Sequence, residues 1–290
     1  MNLCAEPNGI DRSLSEHDFT RVSRFVHEQF GIHLTPQKKS LLEGRLRKRM
    51  RATRIDSFRR YCDYLFTGAG MAEELPHMID AVTTNKTDFF REPSHFAFLV
   101  DRALPELAAV RPERKQVLVW SAACSSGEEP YTLAMVLQEF ADRCPGFDFA
   151  VLATDISTRV LDKAREGIYE AEKIEPVPMD LRKKYLLRSR DPAQRRVRIA
   201  PELREKVLFR RMNLAEQRYE IPEGIDVVFC RNVLIYFDAA TQERLIGQFC
   251  RHLSPGGYLF MGHAETISNM NVPLAYVAPT IYRKAGGAES

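Results

Sequence analysis

The run QVLVWSAACSSGEEPYTLAMVLQEF at residues 116–140 decides the fold. It opens as a short apolar strand, passes through a loop of small side chains (Ser121, Ala122, Ala123, Cys124, Ser125, Ser126, Gly127), and becomes a helix from Glu128. Outward from it the same rhythm repeats. FDFAVLATDIS (147–157) reads as a second strand ending in an acid, and RVLDKAREG (159–167) as a helix. Further strands are expected in REKVLFRR (204–211) and IDVVFCRNVLIYF (225–237), followed by a helix at 241–253. SPGGYLFMGHAE (254–265) is a turn and strand, and AYVAPTIYRK (275–284) a last strand. Strands alternating with helices predict an α/β fold with a doubly wound, mostly parallel sheet. Residues 174–200 break the rhythm with Pro176, Pro178, Pro192, a basic cluster and an alternating VRI segment. They are expected to form a small β-subdomain inserted into the sheet domain.

Upstream the texture is helical. Ser15 with Asp18 three residues on forms a capping box, Phe19, Val22, Val26 and Phe30 recur at helical spacing, and Gly31 can close the helix. Thr35 before Pro36 opens a second helix, with Leu42, Leu46 and Met50 as its buried stripe. Arg47, Arg51 and Arg54 then fall on its opposite face. Helices are also expected near 57–66 and 72–82. Residues 1–90 therefore read as an all-helical domain and 91–290 as the sheet domain, with the insertion at about 174–200.

The 290 residues fit one sizeable domain with a smaller companion, and 44% hydrophobic with 28% charged residues excludes a wholly disordered chain. No apolar run approaches the roughly 18 residues that span a bilayer. The start, MNLCAEPNGIDRSLSEHD, has no charged cap followed by an apolar stretch, so no secretion signal, a plain thiol at Cys4 and a cytoplasmic location are expected. The six cysteines form no CxxC pair and read as reduced thiols, and the histidines lack HxH, HxxxH or HExxH spacing, so no metal site is expected. The net charge of +3 hides local charges of +8 at 38–60 and +9 at 182–211, against −14 for the remainder. Two basic islands on an acidic body suggest two surfaces for anionic partners.

A strand, a small-residue loop and a helix N-terminus bring bare backbone close to a ligand. Because Gly127 is the one glycine of this loop, the dinucleotide fingerprint GxGxxG is absent, and Glu128 and Glu129 at the exit would repel a pyrophosphate. Acids there suit a cationic or amine-bearing ligand. Asp155, ending the next strand, is placed to accept hydrogen bonds from a ribose diol. A nucleoside carrying positive charge meets both conditions, which points to S-adenosylmethionine. The blander reading makes Glu128 and Glu129 first-turn residues favoured by the helix dipole and Asp155 a cap. Trp120 reads as a core residue, Cys124 and Cys230 as small packing residues, and His263 as structural or pocket-lining. Phe89 and Phe90 read as interdomain packing or part of a lid.

TTNKTDFFRE (83–92), WSAACSSGEEPY (120–131), ATDIS (153–157), CRNVLIYF (230–237) and SPGGYLFMGHAE (254–265) together resemble the chemotaxis receptor methyltransferases, the CheR family. The resemblance covers nearly the whole chain. It implies a class I, Rossmann-like methyltransferase domain and S-adenosylmethionine-dependent O-methylation of glutamates on the cytoplasmic helices of chemoreceptors. It further implies cofactor contacts at Asn85, Thr87, Arg91, Glu129, Asp155, Asn213, Leu214, Arg231 and Asn232. Tyr236 falls near the reacting centre, Arg91 grips a carboxylate of cofactor or substrate, and both are assigned to catalysis. With the resemblance, Arg47, Arg51 and Arg54 become a docking stripe for acidic receptor helices. Members that bind a receptor's C-terminal tail peptide use a glycine-containing loop of the β-subdomain; residues 189–194 here have none. No metal, no nucleic acid, no membrane insertion and a monomer are expected. The rivals are a nucleic-acid methyltransferase, a non-catalytic cofactor-binding adaptor, and a nicotinamide dehydrogenase. The first lacks an NPPY-type motif after IDVVFC, and the last lacks GxGxxG.

Overall fold

The computed structural model describes residues 13–110, 116–189, 191, 193–268 and 270–286. Cys4 lies outside them, as do residues 190 and 192 of the loop compared above. Among the described residues no helix is long and apolar enough to cross a membrane. The chain divides into two compact units, 1–84 and 85–290. The break falls ahead of the expected 90/91 because residues 85–92 bond within the second unit. Asn85 O accepts from Ser125 Oγ at 3.0 Å, and Phe90 N–H donates to Thr132 Oγ1 at 3.2 Å.

The first unit is helical. Helix α1 (Glu16–Phe30) begins at Ser15, whose Oγ accepts the Asp18 N–H, and ends at Gly31 with φ of 68°. Pro36–Lys38 forms a 3-10 turn leading into α2 (Lys39–Thr53), so Thr35 does not cap α2 directly. Helix α3 (Phe58–Leu65) is capped by Ser57. The expected helix at 72–82 is two helices, α4 (Gly68–Glu73) and α5 (Leu75–Val82), joined at Glu74. Leu42, Leu46 and Met50 are buried as their spacing predicts, with Tyr61, Cys62, Leu65, Met78 and Ile79. Glu74 is the polar centre of this core, 3% exposed. Arg49 donates to both of its oxygens at 2.8 Å, and Tyr61 OH donates to Oε1 at 2.7 Å.

The second unit begins with α6 (Pro93–Phe98), which passes through a π-turn at Leu99–Ala103 into α7 (Leu104–Val110). Then come β1 (Gln116–Ala122), α8 (Glu128–Ala141), β2 (Asp148–Asp155) and α9 (Thr158–Glu166). The insertion follows: β3 (Ile168–Glu170), α10 (Met179–Tyr185), β4 (Leu186–Arg188) and β5 (Arg196–Ile199). It is a three-stranded antiparallel sheet ordered β3-β5-β4 that starts at Ile168, ahead of the expected 174. Three residues of strand pairing across from Arg196–Arg198 leave no local pattern to read. The main fold resumes with α11 (Pro201–Glu205), β6 (Val207–Arg211), β7 (Ile225–Cys230), α12 (Ala239–His252) and β8 (Leu253–Met261). The expected last strand is two strands, β9 (Leu274–Ala278) and β10 (Ile281–Lys284), paired antiparallel. Pro279 and Thr280, the latter at φ 59°, turn the chain between them.

The seven-stranded sheet runs β6-β2-β1-β7-β8-β10-β9. Strands β6, β2, β1, β7 and β8 are parallel and β10 is antiparallel to β8. Both faces are covered. Val227 and Phe229 of β7 pack into one core with Val119, Phe149 and Phe260; Val228 and Cys230 pack into the other with Trp120, Leu259 and Phe249. That two-sided burial is why these strands are continuous apolar runs. Trp120 is fully buried, with Nε1–H donating to Thr154 Oγ1 at 2.9 Å. From β1 the chain winds first to one side, through β2 and β6, and then to the other, through β7. The crevice outside the carboxyl ends of β1 and β7 is therefore the switch point of the sheet, where open α/β sheets bind ligands.

Replacing Glu74 by Ala should cost the helical unit about 3–5 kcal/mol, because Arg49 and Tyr61 lose their shared buried acceptor. Urea denaturation of the full chain followed by tryptophan-independent far-ultraviolet dichroism would measure it; a loss below about 1 kcal/mol would remove the triad from the core's account.

Candidate functional site

The β1–α8 loop is held open by its backbone. Ala123, Ser125 and Gly127 have φ of 60°, 50° and 95°, and two of these are not glycines. Such left-handed residues persist only where surroundings over-determine them. Here Cys124 N–H donates to Thr154 O, and Ser125 N–H to Asp155 Oδ2 at 2.8 Å. The other Asp155 oxygen accepts Ser157 N–H at 2.9 Å, and Asp155 O accepts Met212 N–H. The buried Asp155 thus pins the loops after β1, β2 and β6 to one another at the carboxyl edge. Gly127 has no room for a side chain: a Cβ would come within 2.8 Å of Tyr169 Oη and 2.9 Å of Ala164 Cβ.

Arg231, first residue after β7, is the other centre. Its side chain is 2% exposed and lies against the rings of Phe96 and Phe229. Nε donates to Glu129 Oε2 at 2.7 Å, while Ser121 Oγ donates to Glu129 Oε1. Nη1 donates to the carbonyl of Arg91 at 2.6 Å and sits 3.5 Å from Glu92 Oε2 and 3.3 Å from His95 Nδ1. Burial first, and the Arg231 charge second, push the His95 imidazole down to about 4. Glu128 accepts from Ser126 Oγ at 2.7 Å, and burial raises its pKa. The loop-exit acids expected to face a cationic ligand are therefore committed within the protein, since a buried carboxylate needs an internal partner.

Of the remaining predicted positions, Arg91 is half-buried and Nη1 donates to Lys86 O at 3.3 Å. Thr87 O accepts from Lys173 Nζ at 3.3 Å. Asn213 Oδ1 accepts the Ala215 N–H, and the buried Leu214 has its carbonyl bonded by Tyr219 OH at 2.6 Å. Asn232 is left-handed at φ 60°, and Tyr236 ends a 3-10 turn at Leu234–Tyr236. The fold thus joins Asn85, Arg91, Glu129, Asp155, Arg231 and Asn232 along the switch-point edge, with Asn213 and Leu214 directly after β6. Phe89 is 1% exposed in the sheet unit's core, edge-on to Tyr169. Cys124 and Cys230 are buried, with thiols raised well above the ordinary value, as inert packing residues should be. The five described cysteines are free.

Arg47, Arg51 and Arg54 belong to the helical unit and do not form one helix face. Arg54 is the left-handed cap after α2, at φ 58°, because the helix ends at Thr53. Arg47 pairs with Glu43 and covers the Phe58 ring, and all three arginines are exposed.

Residues that sequence reasoning passed over are Glu265, His95 and Glu92. Glu265, 6% exposed, accepts the N–H groups of Asn232, Val233, Leu234 and Gly262 at 2.7–2.9 Å; burial raises its pKa against these four donors. Its one sequence signal was its place in GHAE. Glu92, His95 and His263 bring ligand atoms within 4.8 Å of one another, a grouping that the spacing tests could not detect across so many residues. The Arg231 guanidinium beside Glu92 and His95 already supplies a cation there. The donor set at the edge fits S-adenosylmethionine: a fixed carboxylate for ribose hydroxyls, a guanidinium for an amino-acid carboxylate, amide groups after β6 for an adenine edge, and no glycine-rich phosphate cradle.

The depressed His95 pKa has a consequence for stability. Its folded value lies below the unfolded value of about 6.5, so the unfolded chain takes up the proton first, and stability falls as pH drops from 6.5 towards 4. A His95→Gln variant should lose on the order of 3 kcal/mol less than the parent over that interval in denaturant titrations. Identical acid profiles for the two proteins would show that the ring titrates normally.

Residues 85–282 match the CheR methyltransferase SAM-binding domain, and residues 17–83 match the CheR methyltransferase all-alpha domain. The chain is 37% identical over 287 residues to the chemotaxis protein methyltransferase of Borreliella burgdorferi, spanning 98% of this chain and 100% of that protein. Against the chemotaxis protein methyltransferases of Salmonella typhimurium and Escherichia coli it is 38% and 37% identical over 270 residues, in each case 93% of this chain and 91% of the relative. With both of its units matched and one relative aligned over its full length, the chain belongs to the CheR methyltransferase family.

Proposed function

We propose that this protein transfers the methyl group of S-adenosylmethionine to glutamate side chains on the cytoplasmic helices of chemoreceptors, forming γ-methyl esters for chemosensory adaptation. The observation that carries the reading is the gathering of Asn85, Arg91, Asp155 and Arg231 at the switch point of a sheet in this family. The names of the aligned relatives supply the chemosensory context.

When bound, the cofactor supplies an electrophilic methyl group on a good leaving sulfur. Asp155 would hold its ribose hydroxyls, Asn213 and Leu214 the adenine, and Asn85, Thr87 and Asn232 the rest of the adenosine and amino-acid portion. Glu129 and Arg231 act as a buried, mutually neutralised pair that fixes the edge. The substrate glutamate, with a pKa of about 4.3, is ionised at neutral pH and needs no general base. The protein's task is to hold that carboxylate in line and exclude water from it. Arg91 would grip a carboxylate, the cofactor's or the substrate's, and Tyr236, on the loop after β7, would stand near the reacting centre. Arg47, Arg51 and Arg54 would steer the acidic receptor helix.

Methyl-labelled cofactor incubated with a panel of receptor cytoplasmic fragments, with and without their C-terminal tails, should give base-labile label on the fragments; unlabelled fragments alongside tight cofactor binding would favour an adaptor. Arg91→Ala should lower transfer by roughly a hundredfold or more, through lost positioning, and near-normal turnover would remove Arg91 from the catalytic assignment. Reversing Arg47, Arg51 and Arg54 together to Glu should raise the KM for receptor fragment about tenfold at moderate salt, with affinity for S-adenosylhomocysteine unchanged. Equal KM values would end the docking assignment.

A further inference from the structure

We infer that Glu265 is a positioning residue that shapes the loop after β7, residues 231–237, and through it the edge on which cofactor and substrate are read above. The inference rests on that reading for its functional half, while its structural half stands on the hydrogen bonds alone.

The loop turns sharply within a few residues and carries three positions assigned to the site: Arg231, Asn232 and Tyr236. Its first three free N–H groups, on Asn232, Val233 and Leu234, have no strand or helix partner. All three point at one carboxylate, that of Glu265, at 2.9, 2.8 and 2.8 Å. The fourth donor is Gly262 N–H at 2.7 Å, from the end of β8. One side chain thus fastens the β7 exit to the β8 exit, two neighbouring strands of the sheet. The carbonyl side is held separately. Gln242 of α12 donates from Nε2 to Leu234 O at 2.9 Å and to Phe237 O at 3.0 Å. Donors are gathered by an acid and acceptors by an amide.

Two further features show that the arrangement is built closely. Asn232 is held at φ 60°, a conformation that a short polar side chain tolerates and most residues do not. A Cβ at residue 262 would lie 2.5 Å from Asn232 Nδ2, 2.8 Å from Asn232 N and 2.9 Å from Glu265 Oε2, so glycine is required there for the acid to reach the loop. Glu265 is itself too buried to meet a substrate. Its effect on chemistry must pass through Asn232 and Tyr236.

The charge and the number of acceptors both matter. Each Glu265 oxygen takes two N–H groups, and in Glu265→Gln one of the two positions becomes an NH2 group facing two donors. The test uses the full chain and three readouts: amide hydrogen exchange, affinity for S-adenosylhomocysteine by calorimetry, and kcat and KM with a receptor fragment. Glu265→Gln should speed exchange at Asn232, Val233, Leu234 and Gly262 by about tenfold or more, leaving Val227, Val228 and Phe229 of β7 protected. It should also weaken S-adenosylhomocysteine about tenfold and lower kcat at saturating cofactor, with Glu265→Asp restoring part of each. Glu74→Gln, in the helical unit, serves as a control that lowers thermal stability without changing that affinity. Where Glu265→Gln does not fold, Gln242→Met opens the same loop from its carbonyl side and should move the same readouts in the same direction. Unchanged exchange in the loop would overturn the clamp. Faster exchange with affinity and kcat as in the parent would overturn the positioning role and leave a brace. A parent protein that neither binds S-adenosylhomocysteine nor transfers methyl groups would sink the function proposed above, and the positioning role with it, while the exchange data would still decide the clamp.

Discussion

A guanidinium taken out of water at the edge of a sheet has to be compensated on every side, and Arg231 imposes that condition on this protein. Its side chain is 2% exposed. One face meets Glu129, another the carbonyl of Arg91, and the rings of Phe96 and Phe229 cover what is left. Breaking such a pair from one side typically costs about 3–5 kcal/mol, so each partner's position is constrained by the others. Glu129 fixes the first turn of α8 against β1 through Ser121. The carbonyl of Arg91 fixes the segment entering α6, which is what brings Arg91 and Glu92 to the switch point. The neutral state of His95 follows from the same burial beside the same cation.

Much of this framework was legible in the chain, because the sheet is covered on both faces and its strands are unbroken apolar runs bounded by small residues. The strand, loop and helix at 116–140 and the acid at Asp155 stand where their patterns place them. What escaped is what acts at a distance. Glu129 and Arg231 are 102 residues apart, and Glu265 reaches donors 31 to 33 residues earlier in the chain. Neither relation leaves a periodicity. Short strands escaped for a related reason: β3 is three residues long and is defined by its pairing with Arg196–Arg198. The split of the last strand turns on Thr280 at positive φ, an unfavourable choice of residue that no turn signature announces.

The charge islands read from composition also change meaning. In the second island, Arg182 donates to Val177 O, Lys184 bridges Glu139 and Asp142, Lys206 meets Asp148, Arg196 meets Glu170 and Arg210 meets Glu220. In the first, Arg49 is spent on Glu74, and Arg45 on Val82 O and Thr84 Oγ1. A count of basic residues therefore overstates the positive surface offered to a partner. Exposed pairs of this kind contribute little stability, but they do withdraw charge from long-range attraction. Arg51 and Arg54 are exposed at the end of α2, and Arg47, also exposed, shares its charge with Glu43.

The same accounting revises the chemistry expected at the switch point. Two acids at the loop exit suggested a negative pocket suited to a cation. Glu129 is paired with Arg231, and Glu128, whose pKa burial raises, accepts a hydrogen bond from Ser126 Oγ. In the reading proposed above, the charges that meet the ligand are Asp155 on the β2 side and Arg91 on the side of the segment before α6. A site with one anchored carboxylate and one guanidinium is dipolar rather than negative. It matches a ligand that carries hydroxyl donors at one end and a carboxylate at the other better than it matches a bare cation. S-adenosylmethionine has both, and so does its homocysteine product, which lacks the sulfonium charge. If polarity and not net charge governs binding, the methyl group's departure leaves the principal contacts intact, and the product should hold the edge about as well as the donor does.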